Sequence, residues 1–86
     1  MSDYKTITEW ETYEGAVTGY NDSMVAVIEI AALQNRDQCL RWNTPYVSGR
    51  CWYVTHEDGT YTEGQAANVR AARKDALRAL EEGPAR

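Results

Sequence analysis

The chain has no phenylalanine, one histidine, two cysteines and no long apolar run. Each shortage closes off a class of protein. The strongest apolar stretch, residues 24–33, is interrupted by Glu29 and is far shorter than the roughly 20 residues a spanning helix needs. No membrane association is expected. The N-terminus reads Met-Ser-Asp-Tyr-Lys, without the basic region and apolar core of a secretory signal. Cys39 and Cys51 do not build a disulfide framework, and without an export signal they are expected as reduced thiols in a cytoplasmic protein.

The same shortages thin out the chemistry. His56, beside Glu57 and Asp58 at the mouth of a turn, is expected to be exposed. Cys39, Cys51 and His56 match no zinc spacing and lack a fourth ligand. A Cys–His nucleophile pair would need a third, orienting group that the sequence does not indicate. There is no Gly-rich phosphate loop and no dinucleotide fingerprint. No catalytic residue, metal or cofactor is expected, and the chain reads as a binding protein rather than an enzyme.

What is present is a single small domain, 1–86. The apolar fraction of 43% and charged fraction of 26% are ordinary for a globular protein and argue against bulk disorder. The core must be thin, because a chain this short buries only about 60–65% of the surface its unfolded form exposes. Three Trp and six Tyr supply large rings with a polar handle, suited to half-buried strands and interfaces. The charge is uneven. Asp3, Glu9, Glu11, Glu14, Asp22 and Glu29 face one base, Lys5, in residues 1–30, whereas residues 31–86 hold seven acids and eight bases. Two electrostatically different surfaces are expected.

Residues 4–12 alternate at period two, with Tyr4, Thr6, Thr8, Trp10 and Thr12 on one side and Lys5, Ile7, Glu9 and Glu11 on the other, which predicts a β-strand. Glu14-Gly15 reads as a turn, residues 16–20 as a second strand and residues 21–23 as a second turn. Residues 24–33 read as a strand with both faces apolar, since four β-branched residues in seven oppose a helix. Residues 34–38 read as a polar loop and 39–43 as a further short strand. The closing unit is clearer: a strand over 50–55, an Asp58-Gly59 hairpin, a return over 60–63 ended by Gly64, and a helix over 68–82. Asn68 serves as N-cap, Gly83-Pro84 as stop, and 83–86 as a short disordered tail. The expected fold is α+β, a small antiparallel sheet of about 4–6 strands with one C-terminal helix packed on one face.

At 100° per residue the helix gathers Val69, Ala72, Ala76, Leu77, Ala79 and Leu80 on its inner arc. Arg70, Lys74 and Arg78 form a basic ridge outside, with Arg78 placed to pair with Glu82 at i, i+4. Arg73 falls inside the apolar arc, where its stem is expected to pack and its guanidinium to reach the rim. The run Trp52-Tyr53-Val54, Asp58-Gly59, then residues 64–73 resembles the C-terminal half of double-stranded-RNA-binding domains over residues 50–80. That family closes with a hairpin, a Gly-x-Gly and a Ser-Lys-Lys-x-Ala-Lys stretch opening its last helix. Gly64 matches the first Gly, Ala66 replaces the second, Asn68 replaces Ser and Val69 replaces the first Lys, while Arg70, Ala72 and Arg73 are conservative matches. The resemblance implies a helix preceding the sheet and phosphate contacts from Arg70, Arg73 and Lys74.

Two functions are therefore expected in order. The first is a non-catalytic protein that binds another protein through Glu9, Trp10, Glu11 and Tyr13. In kind it is similar to phage or mobile-element inhibitors of host defences, anti-CRISPR proteins among them. The second is a nucleic-acid-binding module using Arg70, Arg73 and Lys74, placed behind because a net charge of −4 opposes phosphate binding. A small-ligand site between protomers is a third class. Two apolar faces on 24–33 with only one helix to cover them predict a homodimer or an obligate protein partner.

Overall fold

The computed structural model describes residues 4–34, 36–43, 45 and 48–84. The elements run β1 (Ile7–Tyr13), β2 (Ala16–Asn21), β3 (Ala26–Ala32), α1 (Arg36–Arg41), β4 (Arg50–Thr55), β5 (Tyr61–Ala66) and α2 (Val69–Glu82). All five strands pair antiparallel with their sequence neighbours in the order β1-β2-β3-β4-β5, and α2 lies across β3, β4 and β5 on one face. This is the small α+β architecture expected. Of the disordered tail expected at 83–86, residues 85–86 lie outside the described residues, and so does Asp3.

The turns follow from their residues. Glu14 and Gly15 both have positive φ, 49° and 82°, the geometry of a two-residue hairpin whose twist matches its strands. In the β2–β3 turn, the buried Asn21 side chain accepts from the N–H of Ser23 and of Val25, both at 3.0 Å. The β4–β5 turn differs from expectation. His56 N–H donates to Thr60 O at 2.7 Å and Gly59 N–H to His56 O at 3.0 Å. The loop is thus three residues, Glu57 to Gly59, with only Gly59 (φ 89°) at positive φ. That closure makes His56 a ladder residue continuing the inward series Trp52, Val54. It is 3% exposed, not solvent-facing, and its Nε2 lies 2.8 Å from Thr62 Oγ1.

Two other local expectations are corrected. Residues 39–43 are not a strand: α1 occupies Arg36–Arg41, with Trp42 N–H donating to Gln38 O at 2.9 Å. The run lacks β-branched residues, and Asp37 and Arg41 sit in its first and last turns, as the helix dipole favours. Leu33 N–H donates to Gly49 O at 3.1 Å, and among the described residues between them none lies in a strand. Gly64 does not end β5, which runs on to Ala66. Gly64 lies opposite Trp52, and a Cβ there would sit 2.3 Å from Trp52 Cζ2, so its missing side chain makes room for the indole.

Register shifts decide which residues face the helix. Segment 24–33 supplies a strand, as expected, over Ala26–Ala32, but its partners jump from Gly19↔Ile28 to Tyr20↔Ala26. Val27 is the extra residue, and such an insertion breaks strict alternation. Val27, Ile28 and Ile30 are all buried in the core with Val17, Trp52, Val54, Ala72, Ala76 and Leu80, whereas Glu29 is exposed. A second apolar face therefore does not form, and the packing argument for a second copy loses its premise. In β1 the jump from Ile7↔Asn21 to Glu9↔Tyr20 brings Ile7 to the core side with Trp10, not with Glu9 and Glu11.

On α2, Ala72, Ala76 and Leu80 are buried, the two small alanines letting the helix settle close to the sheet. Leu77 falls at the rim, 40% exposed. A fully buried large aliphatic side chain such as Leu80 stabilises the fold by about 1.5–3 kcal/mol. Asn68 Oδ1 accepts from Ala71 N–H at 2.9 Å, the capping bond its type and position predict. Gly83 (φ 85°) ends the helix, donating to Ala79 O at 3.1 Å. Among the described residues no helix is long and apolar enough to cross a membrane.

Candidate functional site

The face of the sheet away from α2 carries no helix, and alternation along each strand settles what it displays. From β1 come Glu9, Glu11 and Tyr13, from β2 Thr18 and Tyr20, and from β3 Glu29 and Ala31. β4 adds Cys51 and Tyr53, and β5 adds Tyr61, Glu63 and Gln65. Directly opposed pairs include Thr18↔Glu29, Glu29↔Tyr53 and Tyr53↔Glu63. The row across the sheet from β3 to β5 thus reads Glu29, Tyr53, Glu63.

All four carboxylates of the strands, Glu9, Glu11, Glu29 and Glu63, are exposed on this face. Arg50 is the one base in any strand, and it stands on the helix side with Trp52 and Val54. As built by the strand residues, the face is therefore acid-only. Its rings are accessible as well: Tyr13 is 70% exposed, Tyr61 69% and Tyr53 38%. The nearby Cys51 sulfur and Glu63 carboxylate raise the Tyr53 hydroxyl above its ordinary pKa, since negative charge opposes a second ionisation. A shallow depression of about 280 Å³ opens here, lined by Leu33, Cys51, Tyr53, Glu63, Gly64 and Gln65.

The structure divides the residues expected to bind a partner. Glu9, Glu11 and Tyr13 lie together on the open face. Trp10 does not join them. It packs on the helix side over Gly19, where an added Cβ would meet its ring at 2.9 Å, and the Arg73 guanidinium sits 4.1 Å from its ring centroid. Arg73 is thereby accounted for: its place in the apolar arc is a stack of glycine, indole and guanidinium, a cation–π contact. The basic set is divided in the same way. Arg70 and Lys74 are exposed, while Arg73 is engaged by Trp10. Arg78 pairs with Glu82, Nε to Oε1 3.7 Å, as the spacing predicts.

The RNA-binding resemblance also implied a helix before the sheet. The segment that would supply it, 24–33, contains β3 instead, because its β-branched residues fit a pleated sheet and Ile28 and Ile30 pair on both sides. The hairpin–helix likeness is confined to the last two strands and α2. Among the described residues, no group of three or more His, Cys, Asp and Glu is arranged to hold a metal ion. Comparison with models of known families, with curated proteins and with solved structures finds no match to this chain.

Sequence reasoning missed Glu29, Tyr53, Tyr61 and Glu63 as companions of Glu9 and Glu11. They come from three other strands, and only register brings them into one surface. The signal that existed was the alternation Tyr61, Glu63, Gln65 in a strand leading into a helix.

Proposed function

We propose that this chain is a small non-catalytic binding protein whose open sheet face docks on a basic surface of another protein. The observation that carries it is the acid-only face, Glu9, Glu11, Glu29 and Glu63 set among Tyr13, Tyr53 and Tyr61. Complementary potential speeds encounter and fixes orientation, and exposed tyrosines are the rings that interface centres favour. The reading requires no second copy, since the uncovered face is polar. The biological setting that fits is the one expected from kind: a phage or mobile-element inhibitor, anti-CRISPR-like, that occupies a nucleic-acid-binding surface of a host protein.

The test is selective capture. The full chain, Glu9→Lys/Glu29→Lys and Arg70→Glu/Lys74→Glu are each immobilised, exposed to bacterial lysate, and washed at low and high salt. A protein held by wild type and by the helix variant, but lost to the face variant and to high salt, supports the reading. Retention by the face variant defeats it. The alternative, a nucleic-acid-binding module, rests on Arg70 and Lys74 standing exposed one turn apart on α2. Salt-sensitive binding of labelled duplex RNA or DNA that Arg70→Glu/Lys74→Glu abolishes would put that reading first.

A further inference from the structure

The two edges of the sheet are not alike. β1 is interrupted by the register shift between Ile7 and Glu9, one of the devices that blunt an edge against pairing. β5 has no such interruption. It stays in register with β4 from Tyr61 to Ala66 and carries neither Lys nor Pro.

The hairpin closure fixes which β5 groups point outward. His56 N–H donates to Thr60 O, so residues 56 and 60 are a hydrogen-bonded pair. Antiparallel ladders alternate between bonded and non-bonded pairs, which makes Thr62, Gly64 and Ala66 the residues bonded to β4. The backbone N–H and C=O groups of Tyr61, Glu63 and Gln65 then face away from the sheet. Among the described residues nothing hydrogen-bonds to them. These three residues are also the ones whose side chains stand on the acid-only face. An added strand would therefore meet main-chain donors and acceptors and the acidic face at one place.

We propose that the β5 edge takes an extended segment of the partner protein as a sixth strand, with a Lys or Arg of that segment opposite Glu63. This rests on the reading that the open face binds a basic partner and says how part of that partner is held. Main-chain pairing supplies affinity and alternate side chains supply choice, as in other strand-addition complexes. The depression lined by Leu33, Cys51, Tyr53, Glu63, Gly64 and Gln65 accommodates the long basic side chain, its stem along the Tyr53 ring and its charge at Glu63. A second copy is the poorer occupant: pairing β5 with β5 extends one acid-only face with another, and like charges across a pair repel.

The test uses the full chain and a displayed library of random nine-residue peptides. Enriched peptides are synthesised and titrated by fluorescence anisotropy against wild type, Glu63→Gln, Gln65→Pro and Glu9→Lys/Glu11→Lys. Proline at 65 removes an outward N–H and leaves the β4 ladder intact, the situation in which edge strands accept it. The expected peptides carry Lys or Arg flanked at two-residue spacing by β-favouring residues, and Gln65→Pro weakens them about tenfold or more. On binding to wild type, the amides of Tyr61, Glu63 and Gln65 become protected from hydrogen exchange; that measurement decides if Gln65→Pro does not fold. Three results overturn the proposal: no enrichment, peptides without a basic residue, or binding that leaves those amides unprotected. Peptides lost to Glu9→Lys/Glu11→Lys yet indifferent to Gln65→Pro would leave the face reading standing and remove the edge. Concentration-dependent dimers that Gln65→Pro dissolves would give the edge to a second copy and also overturn it.

Discussion

A methyl group added at Gly64 would lie 2.3 Å from Cζ2 and 2.6 Å from Cε2 of Trp52, well inside carbon–carbon contact. The indole is 8% exposed and packed among β-strand and helix side chains, so it has nowhere to retreat. Gly64→Ala is expected to cost about 1–3 kcal/mol, the range for overpacking, read as a lower urea midpoint with an unchanged slope. Trp52→Leu should make the same substitution nearly neutral. If the alanine cost persists in the Trp52→Leu background, the steric account is wrong. A second residue-scale prediction concerns Arg73. Its guanidinium 4.1 Å from the Trp10 centroid contributes about 0.5–2 kcal/mol at a partly exposed site. A double-mutant cycle of Arg73→Met with Trp10→Leu should return a coupling in that range. No coupling would mean that only the aliphatic stem matters.

At the scale of elements, β4 and α2 were readable to within a residue because the local signals agreed. Alternation, a good N-cap, a 3.6-residue apolar arc and a terminal glycine all describe the same hairpin and helix. The Asn68 cap can be tested on its own: Asn68→Ala removes the acceptor of Ala71 N–H and is expected to cost about 0.5–2 kcal/mol, mostly recovered by Asn68→Asp. What was not readable depends on partners distant in sequence. Nothing local says that Val27 is an inserted residue, yet that one shift turns Val27 inward beside Ile28 and leaves Glu29 without an apolar Val27 on its face. Nothing local says that Gly64 lies across from Trp52, or that His56 continues an inward series rather than opening a turn. The candidate site suffered the same way: Glu9 and Glu11 were legible as a pair on one strand, while Glu29, Tyr53 and Glu63 joined them only through register.

The β4–β5 hairpin also carries a pH prediction. Hydrogen bonds from Thr60 Oγ1 (2.6 Å) and Thr60 N–H (3.0 Å) hold the Asp58 carboxyl below its ordinary value of 3.8. Because the folded pKa is the lower one, the unfolded chain binds the proton first on acidification. The contribution is present above pH 3.8 and is lost as pH falls through the folded value. Wild type should therefore be more stable than Asp58→Ala near neutrality, and the gap should close in acid. A gap independent of pH would assign the difference to turn propensity instead. Tyr4 gives the opposite sign at the other end of the scale. Its hydroxyl donates to Thr55 O at 2.7 Å, and burial, with Glu57 and Asp58 nearby, raises its pKa. Its contribution holds below about pH 10 and fades above it, so Tyr4→Phe should approach wild type in strong alkali.

For the whole molecule the question is how a chain of net charge −4 distributes it. The strands place four carboxylates and no base on one side, while α2 places Arg70, Lys74 and Arg78 on the other. Such a two-sided molecule responds to salt according to the side in use. If the acid-only face makes the contact, charge reversal at Glu9 and Glu29 should slow association several-fold at low salt. The difference should shrink as the screening length falls from about 10 Å at 0.1 M to about 3 Å at 1 M. Dissociation should change less, because exposed, salt-screened charges act mainly on encounter. Reversal at Arg70 and Lys74 should instead speed association slightly, by removing positive charge that repels a basic partner. The two variants thus move the on-rate in opposite directions, an outcome that a purely apolar contact through Tyr13, Tyr53 and Tyr61 would not produce. Equal, small effects from both variants would assign binding to the rings and leave the carboxylates as solubilising charge.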